Sequence, residues 1–350
     1  MSHICGNTVQ TLPIVPTATG VPARLALAHI ERRNIDPDPL LNRCGLTRTA
    51  LDERKRIKLA SQIDFLEEVG QAVRNDWLGL DLASQVELRE MGMIYYAASS
   101  SQVFDEALHR LIRYVRMSNE ALVLQMDQST TCRITLSYAG VARYKDRHQT
   151  EFLALVLLRL CRQLLGQQIV PVSASFVHHR SGDLGPIQQR FGCKVQFDAY
   201  VDQLSFDGAL LKRPVIGEDH YLNEIMVKVC EDAIAVRVPN IGSFRTVVEN
   251  TIGPLLPHAE ATAATVAKRL GLSERTFARR LAAEGATFGE ILDGLRRDMA
   301  LNYLQEGLQA SQIAWLLGFQ QLSSFTHACR RWTGKCPSEH RRTYKQRMVA

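Results

Sequence analysis

Arg275 and Arg279 stand four positions apart, interleaved with an apolar pair, Phe277 and Leu281, that has the same spacing but belongs to another helical face. A guanidinium carries paired donors that match O6 and N7 of guanine. Ser273, just before them, has a hydroxyl that can accept from the free N–H groups at a helix start. On a helix opened by Ser273, Glu274 suits the positive end of the dipole. Phe277 and Leu281 then point inward, and Arg275, Ala278 and Arg279 point outward. Two outward arginines by themselves are ordinary solvated charges. A repeat around them changes that reading.

Val266-Ala267-Lys268-Arg269-Leu270-Gly271-Leu272 is echoed 47 residues later by Ile313-Ala314-Trp315-Leu316-Leu317-Gly318-Phe319. Each runs β-branched, Ala, two variable positions, Leu, Gly, apolar. Beyond the Gly, Phe277 and Phe325 correspond after a one-residue insertion, each opening the apolar stripe of a second helix. Short helix, Gly turn and second helix make a helix-turn-helix. Its Ala must be small where the helices cross, and its Gly admits a positive φ. The second helix of such a unit lies in the major groove.

Between the two units, Thr287 to Gln305 carries Phe288, Ile291, Leu292, Leu295, Met299 and Tyr303 on one helical stripe. At 1.5 Å per residue this helix is about 28 Å long. That approaches the roughly 34 Å between successive major-groove faces of B-DNA. One connecting helix can therefore set both second helices on the same side of a duplex. RNA fits less well, because its deep, narrow major groove does not admit a helix.

Charge follows the same division. The last 93 residues, from His258, hold 14 Lys+Arg against 8 Asp+Glu, which is the whole net charge of +6. The preceding 257 residues are balanced, with 28 of each sign. A basic module on a neutral one points to nucleic acid as the partner of the C-terminal end.

The 350 residues, 46% hydrophobic and 22% charged, suit two or three globular domains. Helical periodicity marks 21–34, 59–75, 101–116, 152–165 and 219–236, and strands are expected at 121–126, 132–138, 172–177, 194–197 and 203–206. The first part is thus α+β. Leu222, Met226, Val229, Ala233 and Val236 form two heptads, which favours packing on the helix's own domain over dimerisation. The expected divisions are a lead (1–20), an α+β regulatory domain (21–211), an interdomain helix and linker (212–239) and an all-α domain (240–350), with Pro239-Asn240-Ile241-Gly242 at the break. Eight scattered cysteines without a C-x-x-C pair read as reduced thiols and provide no metal site. Neither a basic leader with an apolar core nor a membrane-length apolar run is present in the sequence, so a cytoplasmic location is expected.

At this level the region from about Gly242 to Arg342 resembles the AraC/XylS transcription regulators. Ala267, Gly271, Ser273, Arg279, Arg297, Ala314, Gly318, Phe319, Phe325, Arg330, Gly334 and Pro337 stand where that family's pattern has them. The resemblance implies two reading helices, Ser273 to Glu284 and Gln321 to Trp332, with Arg330 and Arg331 near phosphates. The candidate DNA-binding residues are Ser273, Arg275, Thr276, Arg279, Arg280, Ser323, Ser324, His327, Arg330 and Arg331. Gln320, His327 and Cys329 depart from the common capping Ser or Asp, Arg and Phe, so the second reader is expected to be weaker or differently specific. The N-terminal part resembles the sensor domain of ornithine-utilisation-type regulators through Arg190-Phe191-Gly192-Cys193, Val195, Phe197, Leu204, Phe206, Leu210, Leu211 and Pro214, helped by Ile35-Asp36-Pro37 and Cys44-Gly45-Leu46. These residues identify no effector.

The fold expected is therefore multidomain, an α+β sensor followed by an all-α DNA-binding domain of two helix-turn-helix units on a long helix. Its function is effector-responsive transcription regulation, with activation favoured by the resemblance. Double-stranded DNA, a small-molecule effector and RNA polymerase are the expected partners, a homodimer is the minority reading, and no cofactor, metal or membrane is implied. An enzyme is the chief competing class, but G-x-S-x-G, H-E-x-x-H, P-loop and G-x-G-x-x-G are missing from the sequence. His178-His179 would face opposite ways on a strand, so surface or turn histidines are expected there rather than a metal site. A methyl-accepting Cys would need activating and zinc-binding neighbours that the chain lacks. A purely architectural DNA binder would leave the first 200 residues without a task. Tyr95, Tyr96, Arg113 and Tyr138 are the candidates for lining an effector pocket, with core or surface packing the favoured reading of each.

Overall fold

The structure, a computed structural model, describes residues 15–128, 130–143, 145–235 and 243–340. The expected break at Pro239-Asn240-Ile241-Gly242, heptad residue Val236 and the first 14 residues of the lead lie outside them.

Alternation builds the sheet. In β3 (Leu122–Gln128) and β4 (Thr131–Tyr138), Leu122 and Leu124 and then Cys132, Ile134, Leu136 and Tyr138 enter the core while their neighbours stay half exposed. A first small pair, β1 (Thr17–Ala18) with β2 (Ile57–Lys58), lies apart. β5 (Ser173–Ser175), β6 (Val195–Gln196) and β7 (Asp202–Asp207) complete a five-stranded sheet of order β3-β4-β7-β5-β6, antiparallel except for β5–β6. The register Cys132↔Phe206 and Ile134↔Leu204 aligns the buried rows of β4 and β7.

Helices α1 (Val21–Glu31), α2 (Asp38–Arg43), α3 (Arg48–Asp52), α4 (Leu59–Ala72), α5 (Leu78–Gln85), α6 (Met93–Ser99), α7 (Phe104–Tyr114), α8 (Arg147–Leu165), α9 (Gly185–Phe191) and α10 (His220–Ala235) surround that sheet. α8 is the central one, with Phe152, Leu155, Leu158 and Cys161 all buried. It starts five residues before the expected Phe152, because His148, Gln149, Thr150 and Glu151 are polar yet buried. α5 gave no amphipathic signal, since it is only eight residues long, with Leu78, Gly79, Leu80, Leu82 and Ala83 buried and Ser84 and Gln85 exposed. α10 packs on α6 through Met226, Cys230 and Ala233, while Val229 stays partly exposed, so the packing expected for this helix is the one found.

The second half is helical: α11 (Phe244–Ile252), α12 (Ala263–Arg269), α13 (Glu274–Ala283), α14 (Phe288–Gln305), α15 (Ala310–Leu316) and α16 (Leu322–Thr333). Its core, from Val248 to Cys329, is separate from the one running from Ala18 to Cys230. An N-terminal α+β part and a C-terminal helical part are thus present. No helix among the described residues is long and apolar enough to cross a membrane.

Candidate nucleic-acid interface

In the first helix pair, Thr262 caps α12 by accepting from the Thr265 N–H at 3.1 Å, and Ala267 is buried where α12 meets α13. The chain then turns at Gly271 with φ +67°. Ser273 Oγ accepts from the Thr276 N–H at 3.3 Å and starts α13. Phe277 and Leu281 are buried, whereas Arg275, Ala278, Arg279 and Arg280 are exposed. The Phe277 ring packs between Phe244 and Phe288, with centroids 5.9 and 6.0 Å away. Glu284, at the end of α13, accepts from the N–H groups of Phe244 at 2.7 Å and Arg245 at 2.9 Å. α11 therefore braces the helix that carries the two arginines. Arg280 is partly engaged, its guanidinium 5.6 Å from the Phe244 ring.

The second pair repeats this geometry with a tighter turn. Ile313 and Ala314 are buried, and Gly318 turns with φ +69°. A Cβ on Gly318 would meet the Leu256 carbonyl oxygen at 2.6 Å. Arg296 of α14 donates from Nε to the Leu317 oxygen at 2.9 Å and from Nη2 to the Gly318 oxygen at 3.3 Å. Its guanidinium also lies 4.6 Å from the Phe319 ring. The connecting helix thus clamps the second turn directly. Arg296 carried no signal in the sequence beyond that of a surface charge beside Arg297.

α16 begins at Leu322 after Gln321, whose side chain makes no capping bond. The cap thus sits one residue past the expected Gln320. Phe325, Ala328 and Cys329 are buried, and Ser323, Ser324, His327, Arg330 and Arg331 are exposed. Arg331 is not a free cation, because it pairs with Asp293 of α14. Asp293 also accepts from Trp332 Nε1 at 2.8 Å and so fixes the C-terminal end of α16. Asp293 and Glu284 were missed by sequence reading, since one surface carboxylate looks like another before its partners are known.

The two halves touch. Asn250 of α11 donates to the carbonyl oxygens of Tyr138 and Val141 at 3.1 and 2.9 Å. Tyr200 stacks on His258 at 3.9 Å between ring centroids and has the Arg269 guanidinium 5.2 Å from its ring.

The candidate effector residues do not gather. Tyr95 is buried and accepts from Gln163 at 2.7 Å, Tyr96 is exposed, Arg113 pairs with Glu231 at 2.6 Å, and Tyr138 is buried in the core. The two histidines lie in the bend after β5 rather than on a strand, half-buried, His178 on Glu151 at 3.0 Å and His179 on Asp198 at 2.9 Å. The turn half of the expectation is met, and the two rings are half-buried on carboxylate partners rather than at the open surface. Burial pushes the Cys132 thiol up to about 11. No group of metal-ligating side chains occurs among the described residues.

Residues 35–215 match the family described as the arabinose-binding domain of AraC transcription regulator, N-terminal, and residues 266–343 match a helix-turn-helix domain. The chain is similar to the HTH-type transcriptional regulator VirS of Mycobacterium tuberculosis, 29% identical over 317 residues that cover 87% of this chain and 91% of that protein. It is similar also to the ornithine utilization regulator of Pseudomonas aeruginosa, 26% identical with 94% and 98% covered. Among solved structures, the transcriptional regulator CdpR from Pseudomonas aeruginosa aligns at 23% identity and TM-score 0.43, with 87% and 96% covered.

Proposed function

The chain belongs to the AraC transcription regulators and is a DNA-binding transcription regulator, and from that premise we propose how it reads DNA. α12–α13 and α15–α16 are two helix-turn-helix units, residues from about 240 to 350 form the reading domain, and α13 and α16 enter successive major-groove segments. Arg275 and Arg279 of α13 read base edges, with Ser273, Thr276 and Arg280 beside them. On α16, Ser323, Ser324 and His327 face the bases, and Arg330 and Arg331 approach phosphates. The observation that supports this most is the shared design of the pairs. Each exposed polar helix face follows a glycine of positive φ, and both are fastened to α14, which at 18 residues is about 27 Å long. Burial of Phe277 and Phe325 leaves the arginine and histidine faces turned outward.

Residues 21–211 respond to a small effector, and the contacts of Asn250, Tyr200 and Arg147 with the opposite half carry the response. A cytoplasmic location, contact with RNA polymerase and self-association belong to the same reading. Hydroxyl-radical footprinting of the full chain on selected DNA tests the reading mode. Two protected segments one helical turn apart on one side of the duplex are expected, and a single protected segment would overturn it.

A further inference from the structure

A cavity of about 120 Å³ lies inside the N-terminal half, between the β3–β4 face and helices α4, α7 and α8. That is several times the ~10–15 Å³ a single water needs. Its walls are mainly apolar, with Leu124, Leu136, Val156 and Leu160 among them. Glu90 is the one charged side chain in the lining described, and Lys, Arg and His do not occur there.

Thr19, Ser118 and Asn119 add polar groups to the lining, and two further amides interrupt the apolar wall. Gln62 and Gln149 are each 1% exposed, and Gln62 Nε2 donates to Gln149 Oε1 at 2.7 Å. This pairing leaves the Gln62 Oε1 acceptor without a protein partner among the described residues, whereas the Gln149 amide group also faces the Tyr138 hydroxyl. Buried amide groups are normally satisfied, so this acceptor calls for a group that can donate to it. A hydroxyl does so. A carboxylate accepts only, would face the Gln62 oxygen and would find no cation. A sugar would bring several hydroxyls against mainly apolar walls.

We propose that this cavity is the effector site of the chain and takes an uncharged, mainly apolar molecule ending in one hydrogen-bond donor, the simplest being a primary alcohol. The assignment rests on the effector-responsive reading above and names its ligand class. Gln62 accepts from the polar end, and the leucine-rich walls hold the chain.

Calorimetry on the full chain with 1-octanol, sodium octanoate at pH 8 and L-arabinose tests it. Saturable one-to-one binding of octanol is expected, with octanoate at least tenfold weaker and no heat from arabinose. Leu124→Phe and Val156→Phe, which occupy the space, should each weaken octanol at least tenfold, and Gln62→Leu by about tenfold. Methyl resonances of Leu124, Leu136 and Val156 in the unsubstituted chain report the site even if the filled variants fail to fold. Arabinose or octanoate binding as tightly as octanol, or unmoved methyls, overturns the proposal. Operator affinity separates the two claims. Octanol filling the cavity without changing it contradicts the effector role, whereas a sugar or amino acid that changes it without moving these methyls overturns the cavity assignment and leaves effector response standing.

Discussion

Arg147, the first residue of α8, reaches Glu306 Oε1 with Nη1 at 3.1 Å while its Nη2 holds Glu67 Oε1, also at 3.1 Å. One guanidinium therefore joins a carboxylate of the sensor core to one just past the connecting helix of the reader. The two acids feel it unequally. Burial would raise the Glu67 carboxyl, but Arg147, helped by a hydrogen bond from Gln71, outweighs it and holds it below its ordinary value. For Glu306 burial wins over Arg147, and the carboxyl is raised.

Arg147→Met should therefore lower stability by about 3 kcal/mol, because it strands two largely buried carboxylates. Glu306→Gln should cost only about 1 kcal/mol, since Arg147 keeps Glu67 and Glu306 already leans toward its neutral form. Urea unfolding of the full chain measures both, and equal losses would contradict the unequal sharing.

Gly271 and Gly318 turn with nearly the same positive φ, but only Gly318 lies against a neighbour that a methyl would strike, the Leu256 carbonyl. Gly271→Ala should cost about 1–2 kcal/mol for the left-handed backbone alone. Gly318→Ala should cost about 3 kcal/mol or more, as the strain and the clash add. Thermal unfolding decides, and a larger loss at Gly271 would show that the second turn is not the tighter one.

Both glycines were legible because the sequence carries them in a repeated frame, and so were Phe277, Leu281 and Phe325, whose spacing states a face. α14 and the β3–β4 pair were legible for the same reason, through periods of 3.6 and 2. What stayed hidden was whatever is buried without a period or polar with a distant partner. α5 is only eight residues long and mixes Asp81, Ser84 and Gln85 with its apolar residues, so it states no period, and the start of α8 is buried but polar through His148, Gln149 and Glu151. Gln62 and Gln149 are 87 residues apart and read as surface amides until the fold joins them in one wall.

Burial pushes His148 down to about 3 despite the attraction of Glu67, so the folded ring stays neutral where the unfolded one, near 6.5, takes a proton. Stability should be full above pH 6.5 and fall as the pH drops below it. Glu151, held at about 2 because Arg180 and His178 outweigh its burial, adds a further loss from about pH 4.5 downward. His148→Gln should flatten the fall in Tm between pH 6.5 and 5 while leaving the lower phase. An unchanged slope in that interval would show that His148 does not titrate on unfolding.

Arg330 is exposed at the end of α16, while Arg331 is paired with Asp293. Arg330→Ala should lower the log-log salt slope of DNA binding by about one unit with little loss of stability. Arg331→Ala should also release the end of α16 and lower Tm, because its pair with Asp293 is lost. Gel shifts at several salt concentrations, beside thermal unfolding, distinguish them. Identical behaviour of the two variants would remove Asp293 from the account.

The reading of DNA by both exposed helix faces is tested most directly by sequencing random DNA selected by the full chain and by two variants, Arg279→Ala on α13 and His327→Ala on α16. The chain itself should select two blocks of bases about 10 base pairs apart. Each variant should lose preference at a position in one block only, with Arg279→Ala giving up roughly 1–3 kcal/mol of discrimination there. Base preferences that are the same for the chain and both variants would contradict the claim that α13 and α16 are the readers.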